Sequence, residues 1–257
     1  MQELKSMKAI ITGGSSGIGQ AIAVAYASEG AEVVISYQKN KAGAEKTIAA
    51  IQAFNGKAKA IPADLNKTED LHNLVQDASK FLGSIDILVN NAGTLTRHDD
   101  FLDIPLDAFE KIQSINLKAP FFLTQQVATV MRQQDRGGSI INISSISAKI
   151  ISPGLTHYEC SKAALNMLTK ASASALAKYK IRVNAIAPGL IETNINQTQR
   201  EANPQAWNKR TAKIPLNRAG KPEDITPMAI MLASKKSSWI TGSIITIDGG
   251  SDVYVPT

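Results

Sequence analysis

The segment Lys8-Ala9-Ile10-Ile11-Thr12-Gly13-Gly14-Ser15-Ser16-Gly17-Ile18-Gly19 joins a short apolar run to an amphipathic helical pattern through a glycine-rich turn. Glycines at 13, 17 and 19 allow a tight turn, a close approach of backbone to a pyrophosphate, and close packing of helix on strand. The N–H groups and dipole of a helix that starts there favour an anion. What separates this motif from an ordinary glycine-rich turn is a strand before it and a helix after it, and both are present.

The same alternation continues outward from this unit. Short β-branched runs occur at Lys8–Thr12, Glu32–Ser36, Lys57–Pro62, Ile85–Asn90, Ser139–Ser144, Arg182–Ala187 and Ser243–Asp248. Helical patterns lie between them at Ile18–Glu29, Lys41–Phe54, Glu69–Leu82, Leu106–Gln134, Tyr158–Tyr179 and Pro222–Ala233. Near-continuous apolar strands, each followed by a helix, predict an α/β chain with a seven-stranded parallel sheet and helices on both faces. No linker or repeat interrupts the pattern, so residues 1–257 are read as one domain. The stretch 190–220, rich in Asn, Gln, Lys and Arg, leaves strand six where ligands of such sheets bind, and it is expected to form a lid over the site.

Composition narrows the function. Lys and Arg number 28 against 22 Asp and Glu, a net charge of +6 that attracts phosphorylated or carboxylated ligands. With 5% aromatic residues and no recognisable module, a nucleic-acid partner is not expected. One cysteine, Cys160, excludes an internal disulfide framework and a cysteine-rich zinc site, and it is expected to pack as a small hydrophobe. His72, His98 and His157 show no ligand spacing, so no metal is expected. No apolar run approaches the ~20 residues of a membrane span, and Met1–Lys8 has no room for a signal peptide's apolar region. A soluble, cytoplasmic protein is expected.

The chemistry-bearing residues follow the strands. Tyr-x-x-x-Lys occurs twice, as Tyr37…Lys41 and Tyr158…Lys162. On a helix, residues i and i+4 share a face, and a nearby ammonium favours the phenolate that proton transfer requires. Only Tyr158…Lys162 falls on a regular helix, with Ser145 thirteen residues earlier at the carboxyl end of strand five. Asn90-Asn91-Ala92-Gly93 closes strand four with small residues beside which a ribose can pass. Asn116 sits between Ile115 and Leu117 in a helical stretch, where an asparagine alone is usually only a satisfied polar residue.

Taken together, Thr12-Gly13-x-x-x-Gly17-x-Gly19, Asn90-Asn91-Ala92-Gly93, Asn116, Ser145, Tyr158-x-x-x-Lys162 and Pro188-Gly189 closely resemble the short-chain dehydrogenase/reductase family. The resemblance covers essentially the whole chain, in order and at the family's spacings. It implies a single Rossmann-type, doubly wound domain that binds a nicotinamide dinucleotide, with Asn116, Ser145, Tyr158 and Lys162 as catalytic set, usually in a homotetramer. Tyr158 would exchange the proton of the reacting oxygen, Ser145 would hydrogen-bond that oxygen, Lys162 would hold the ribose and lower the phenol's pKa, and Asn116 would hold a relay water.

Cofactor contacts implied by the resemblance begin with Gly13, Ser15, Ser16, Gly17, Ile18 and Gly19 in the turn and Tyr37, Gln38 and Lys39 after strand two. They continue with Asp64 and Leu65 after strand three, Asn91, Ala92 and Gly93 after strand four, Tyr158 and Lys162, and Pro188, Gly189, Ile191 and Thr193 after strand six. No acid occurs between Glu32 and Glu45, so nothing near the end of strand two repels a 2′-phosphate. Lys39 and Lys41 are placed to approach it, and Ser36 or Gln38 to donate a hydrogen bond. NADP is therefore expected to be preferred, but only modestly and with NAD usable, because Ser16 stands where NADP enzymes of the family often carry Arg.

Two branches of the family look nearest. The glucose 1-dehydrogenase type is similar in the Ser145–Tyr158 spacing, His157-Tyr158 and the polar lid. The 3-oxoacyl-carrier reductase type shares the glycine motif, and its acidic carrier suits a basic lid. Ser147-Ala148 and Thr96-Arg97 offer no carboxylate for sugar hydroxyls, whereas Arg97 suits a sugar acid. The reading is therefore a small-molecule sugar or sugar-acid dehydrogenase, with a 3-oxoacyl-carrier reductase and a catalytically idle dinucleotide sensor as alternatives. Finally, Ile244-Ile245-Thr246-Ile247 would be an exposed apolar edge strand in a monomer, which favours a two-fold symmetric assembly with help from Val253-Tyr254-Val255.

Overall fold

Successive strand residues point to opposite faces of the sheet, and here both faces are buried. In β1 (Lys8–Ile11), Ala9 and Ile11 pack on one face and Ile10 on the other. In β2 (Glu32–Tyr37), Val33 and Ile35 oppose Val34 in the same way. The computed structural model describes residues 2–253, the side chains of 195 and 199 excepted. It continues with β3 (Ala58–Pro62), β4 (Ile87–Asn90), β5 (Gly138–Ile143), β6 (Ile181–Pro188) and β7 (Ile244–Ile247). All seven strands are parallel, in the order β3-β2-β1-β4-β5-β6-β7. Two-faced burial is why these segments read as continuous apolar runs.

Helices α1 (Gly17–Ser28) and α2 (Lys41–Gln52) cover the face of Ala9, through Ile22, Tyr26 and Ile51. Helix α3 (Thr68–Leu82) covers the face of Ile10 through Leu71 and Leu74. The single helix expected over Leu106–Gln134 is instead α4 (Leu106–Gln113) and α5 (Ala119–Gln134), joined by a π-turn at Ser114–Lys118. Helix α6 (Thr156–Leu176) joins α3 and α5 on their face. The lid at 190–220, expected as a connection without elements of its own, holds two short helices, α7 (Gln197–Ala202) and α8 (Pro204–Thr211). Asn203 accepts from the Ala206 N–H at 2.9 Å and Pro204 takes the first helical position, a start signal visible in Asn203-Pro204. Helix α9 (Thr226–Ala233) completes the first face, where the buried Tyr26 phenol donates to the Ala229 carbonyl at 2.8 Å.

The chain runs outward from β1 to β3, returns to β4 and then runs outward the other way. The reversal therefore falls between β1 and β4, the place where a crevice opens at the carboxyl ends of the strands. Buried amides fix the strand ends that shape it. Asn90 donates from Nδ2 to Asn142 Oδ1 at 2.9 Å across the β4–β5 ladder, and Asn142 passes a bond to Thr169 Oγ1 on α6 at 2.9 Å. These bonds form in one strand register only.

Candidate active site

The glycine turn is locked to β4 by Asn91. Its Nδ2 donates to the carbonyls of Thr12 at 2.8 Å and Gly13 at 3.2 Å, while Thr12 Oγ1 accepts from the N–H groups of Asn91 and Ala92, each at 3.0 Å. Gly13 has a φ of +67° and Gly17 a φ of +56°, the left-handed region that glycine occupies without strain. Gly19 is needed for space, since a Cβ there would stand 2.3 Å from Asn91 Nδ2 and 2.4 Å from the Gly13 carbonyl oxygen. Ser16 precedes α1 without a side-chain cap, so the first N–H groups of that helix are left for a ligand.

These N–H groups face a cavity of about 800 Å³ that runs along the strand ends. Ser15, Ser16, Gly17 and Ile18 line it with Gly13; Tyr37, Gln38, Asp64 and Leu65 line it after β2 and β3. Asn91, Ala92 and Gly93 line it after β4, and Pro188, Gly189, Ile191 and Thr193 after β6. Gly19 lies behind this wall, packed on Asn91, and Lys39 is exposed outside it. Burial alone would raise the Asp64 pKa, but hydrogen bonds from the Asn66 N–H and amide and from Gln38 outweigh it and hold the carboxyl below its usual range.

Of the groups expected near a 2′-phosphate, Ser36 is buried and its Oγ accepts from the Gly13 N–H at 3.3 Å. Lys41 opens α2 and lies 3.8 Å from Glu45. Ser36 lines the cavity and keeps its own hydrogen to donate, the Lys41–Glu45 pair is open to solvent, and Gln38 bonds to Asp64.

Ser145, Tyr158 and Lys162 converge on the same cavity. Ser145 Oγ accepts from the Ser147 N–H at 3.1 Å, which leaves its own hydrogen to be donated. Lys162, 4% exposed, donates from Nζ to the Ile143 carbonyl at 2.9 Å, and Nζ lies 5.7 Å from the centre of the Tyr158 ring. Burial lowers the Lys162 pKa to about 8. For Tyr158, desolvation of the hydroxyl end raises the pKa and Ser145 opposes it. In the chain by itself, burial outweighs the lowering expected from Lys162.

Asn116 is fully buried on the π-turn and does not line the cavity. Its Oδ1 accepts from the Thr94 N–H at 2.9 Å, and Nδ2 donates to the Thr94 carbonyl and Ser161 Oγ, each at 3.0 Å. Its side chain therefore ties the loop after β4 to α6. A Cβ on Gly93 would lie 3.4 Å from Asn116 Oδ1 and 3.6 Å from Lys162 Nζ, so the missing side chain keeps the space between them open.

The expectation for Cys160 comes out differently. Cys160 is exposed rather than packed, because it lies on the outer face of α6. His157 is buried off the cavity, its Nε2 3.0 Å from Thr96 Oγ1 and its ring edge-on to His98. Lys111, Asn196, Arg210 and Lys213 also line the cavity, although no sequence motif marks them as site residues. Asn196 donates to the Ile191 carbonyl at 2.7 Å and accepts from the Thr193 N–H at 3.2 Å, pinning the start of the lid. Tyr254 and Val255, expected at a subunit contact, lie outside the described residues.

An open doubly wound sheet, a glycine turn feeding an uncapped helix, and Ser, Tyr and Lys at the far end of one cavity define a dinucleotide-dependent oxidoreductase site. Comparison with known proteins agrees. A family profile described as enoyl-(acyl carrier protein) reductase matches residues 13–252. L-rhamnose 1-dehydrogenase (NAD(P)(+)) of Azotobacter vinelandii is 40% identical over 244 residues, 94% of either chain. Glucose 1-dehydrogenase 2 of Bacillus subtilis is 34% identical over 254 residues, 98% of this chain and 97% of that one. A Beutenbergia cavernae protein assigned as an NAD(P)-dependent gluconate 5-dehydrogenase, with NADP bound at low occupancy, superposes with a TM-score of 0.90 at 32% identity, covering 97% of this chain and 98% of that one. The chain belongs to the short-chain dehydrogenase/reductase family, and it is an NAD(P)-dependent oxidoreductase.

Proposed function

We propose that this protein moves hydride between a nicotinamide dinucleotide and a secondary alcohol or its ketone in a sugar or sugar acid. The observation that carries this reading is the meeting of Ser145, Tyr158 and Lys162 in the cavity that the uncapped start of α1 also faces. The rhamnose, glucose and gluconate dehydrogenases among its relatives support the substrate class. The dinucleotide fits what the residues leave open: the free N–H groups before Ile18, the side-chain-free turn at Gly13 and Gly17, and the gap beside Gly93. Gly13, Ser15, Ser16, Gly17 and Ile18 would hold the pyrophosphate; Gln38, Asp64 and Leu65 the adenosine; Ile191 and Thr193 the nicotinamide end. When bound, the group accepts or supplies the hydride.

Tyr158 takes the hydroxyl proton during oxidation and returns it during reduction. Ser145 donates its remaining hydrogen to the same oxygen, where negative charge develops. Lys162 spends one hydrogen on Ile143 and has two left for ribose hydroxyls and for favouring the phenolate. Asn116 positions the loop at Thr94 and the α6 backbone at Ser161, so it acts through the frame that holds Tyr158. We place the enzyme in the cytoplasm, where a lone exposed thiol such as Cys160 stays reduced. We also infer a homotetramer, supported by the half-buried edge strand β7 and by the exposed Phe101, Leu102, Leu106 and Phe121 around α4 and α5.

A second reading, a 3-oxoacyl-carrier reductase, is favoured by the family profile's description and by the cations at the cavity. The deciding experiment follows reduced nicotinamide by absorbance, with both oxidised cofactors against sugars, sugar acids and alcohols, and both reduced cofactors against ketones and a 3-oxoacyl thioester. Sugar or sugar-acid oxidation lost in Tyr158→Phe, with cofactor binding kept, supports the proposal. Near-normal turnover by that variant refutes the role of Tyr158.

A further inference from the structure

The wall of the cavity beyond Tyr158 is cationic, and the cations arrive from separate segments. Arg97 comes from the loop after β4, Lys111 from α4, Arg210 from α8 and Lys213 from the turn after it. Among the described residues, none of the four pairs with a carboxylate within 4.0 Å. Among the described residues, the one acid lining the cavity is Asp64, after β3 and already bonded to Asn66.

Arg97 is held rather than loose. Its Nη1 donates to the Pro153 carbonyl, and its stem lies over Gly154, where a Cβ would approach Arg97 Cγ to 2.9 Å. Gly154 has a φ of +75°, so the turn that seats this arginine is one that glycine favours. Arg210 stands near enough that, after its own desolvation, the charge of Arg97 lowers its pKa. Arg97 and Arg210 are exposed side chains on the wall of one cavity, and like charges there repel each other, a cost that an anion shared between them would remove. A guanidinium presents N–H pairs spaced for a carboxylate, so two of them can hold one carboxylate at a fixed angle.

We propose that Arg97 and Arg210 form a clamp for a substrate carboxylate, so that the enzyme acts on hydroxy acids of the sugar-acid type in preference to neutral sugars. This rests on the dehydrogenase reading above and names the substrate within it. The lid takes part as well, because α8 carries one arm of the clamp and a bound acid draws it against the loop after β4.

The test has a binding arm and a turnover arm. For binding, calorimetry on Tyr158→Phe loaded with oxidised cofactor should show a five- or six-carbon aldonate bound, and the matching alditol bound about a hundredfold more weakly. Adding Arg97→Gln or Arg210→Gln to that variant should weaken aldonate binding about tenfold each, and rising salt should weaken it in the parent. For turnover, the aldonate-to-alditol ratio of kcat/KM should fall about tenfold in each single arginine variant. Cofactor-induced shifts in Tm that match the parent's would show that the variants fold. Equal binding of aldonate and alditol, or arginine variants that leave the ratio unchanged, would overturn the clamp while leaving the dehydrogenase reading intact. Aldonate binding with no turnover of any alcohol would overturn the dehydrogenase reading and leave the clamp. Activity confined to 3-oxoacyl groups on an acidic carrier protein would overturn the clamp.

Discussion

The ammonium of Lys162 donates to the backbone carbonyl of Ile143 at 2.9 Å from a position that is 4% exposed, so the end of β5 anchors a buried charge. Burial lowers its pKa from 10.5 to about 8. The unfolded chain therefore binds the extra proton between about pH 8 and 10.5, and stability rises with pH across that window. Below it the full penalty is present, on the order of 3 kcal/mol at the ordinary conversion between pKa and free energy. Lys162→Met removes the charge and orphans the Ile143 carbonyl, which costs about 1 kcal/mol in return. We expect the cofactor-free variant to be more stable than the parent by about 1–2 kcal/mol at neutral pH, with the gap closing above pH 10 and turnover abolished. Denaturant unfolding at the two pH values checks it; a variant less stable than the parent at neutral pH contradicts it.

Gly19→Ala tests whether the glycine motif serves the ligand alone. The added Cβ would meet Asn91 Nδ2 at 2.3 Å and the Gly13 carbonyl oxygen at 2.4 Å, and the second of these is backbone that cannot swing away. Asn91 must then release Thr12 and Gly13, and the β1–β4 crevice loses its strap. A loss of about 1–3 kcal/mol in the cofactor-free chain is expected. Unchanged stability with weakened cofactor binding would assign Gly19 to the ligand instead.

Periodicity made most of this fold legible, since all seven strands fall on the short β-branched runs that alternate with helical patterns. Ser145, Tyr158 and Lys162 could be singled out because Ser145 follows a strand end, and Tyr158 and Lys162 lie four residues apart on one face of α6. The π-turn at Ser114–Lys118 was not legible, because an extra residue within a helical pattern changes no apolar spacing over so short a stretch. Arg210 shows a different limit. It is one of five basic residues in 190–220, and nothing in the sequence separates Arg210 and Lys213, which line the cavity, from the other three.

His157 contributes to the loss of stability in mild acid. Burial first, and the charge of neighbouring His98 second, lower its pKa from the ordinary 6.5, and Nδ1 is buried without a partner. The unfolded chain then takes up a proton that the folded chain refuses, so this contribution is lost as pH falls below about 6.5 toward the folded pKa. His157→Gln, which can still bond Thr96 and does not titrate, should flatten the fall in Tm between pH 7 and 5. A variant as acid-sensitive as the parent would place the cause elsewhere.

The assembly is open to a direct measurement. The β7 strand lies at the sheet edge with Ile244, Ile245 and Ile247 only partly buried. Leu102 is 85% exposed and Leu106 71%, more apolar surface than a lone subunit gains from showing. Light scattering at micromolar concentration should give a four-chain mass, and a value near 27.5 kDa would refute the tetramer.

Discrimination between the two dinucleotides turns on the end of β2. No carboxylate from Ser36 to Lys41 binds both ribose hydroxyls, so the feature that makes such enzymes strict for NAD is absent from this segment. Ser36 accepts from the Gly13 N–H and can still donate its own hydrogen, Gln38 bonds to Asp64, and Lys41 lies 3.8 Å from Glu45 in an exposed pair. Among the described residues, Lys39 is the cation of this segment with no carboxylate beside it, and it would meet a 2′-phosphate from an exposed position beyond the cavity wall. A charged hydrogen bond contributes about 1.5–3 kcal/mol when well placed, and a solvated lysine delivers the low end. The expected result is a preference for NADP of about tenfold in kcat/KM, with NAD still used. Salt should erode that preference, since both partners are open to solvent. Lys39→Ala should bring the two cofactors close to parity through a higher KM for NADP. A hundredfold preference for NAD in the parent enzyme, or a Lys39→Ala variant with its NADP preference intact, would show that another group reads the 2′ position.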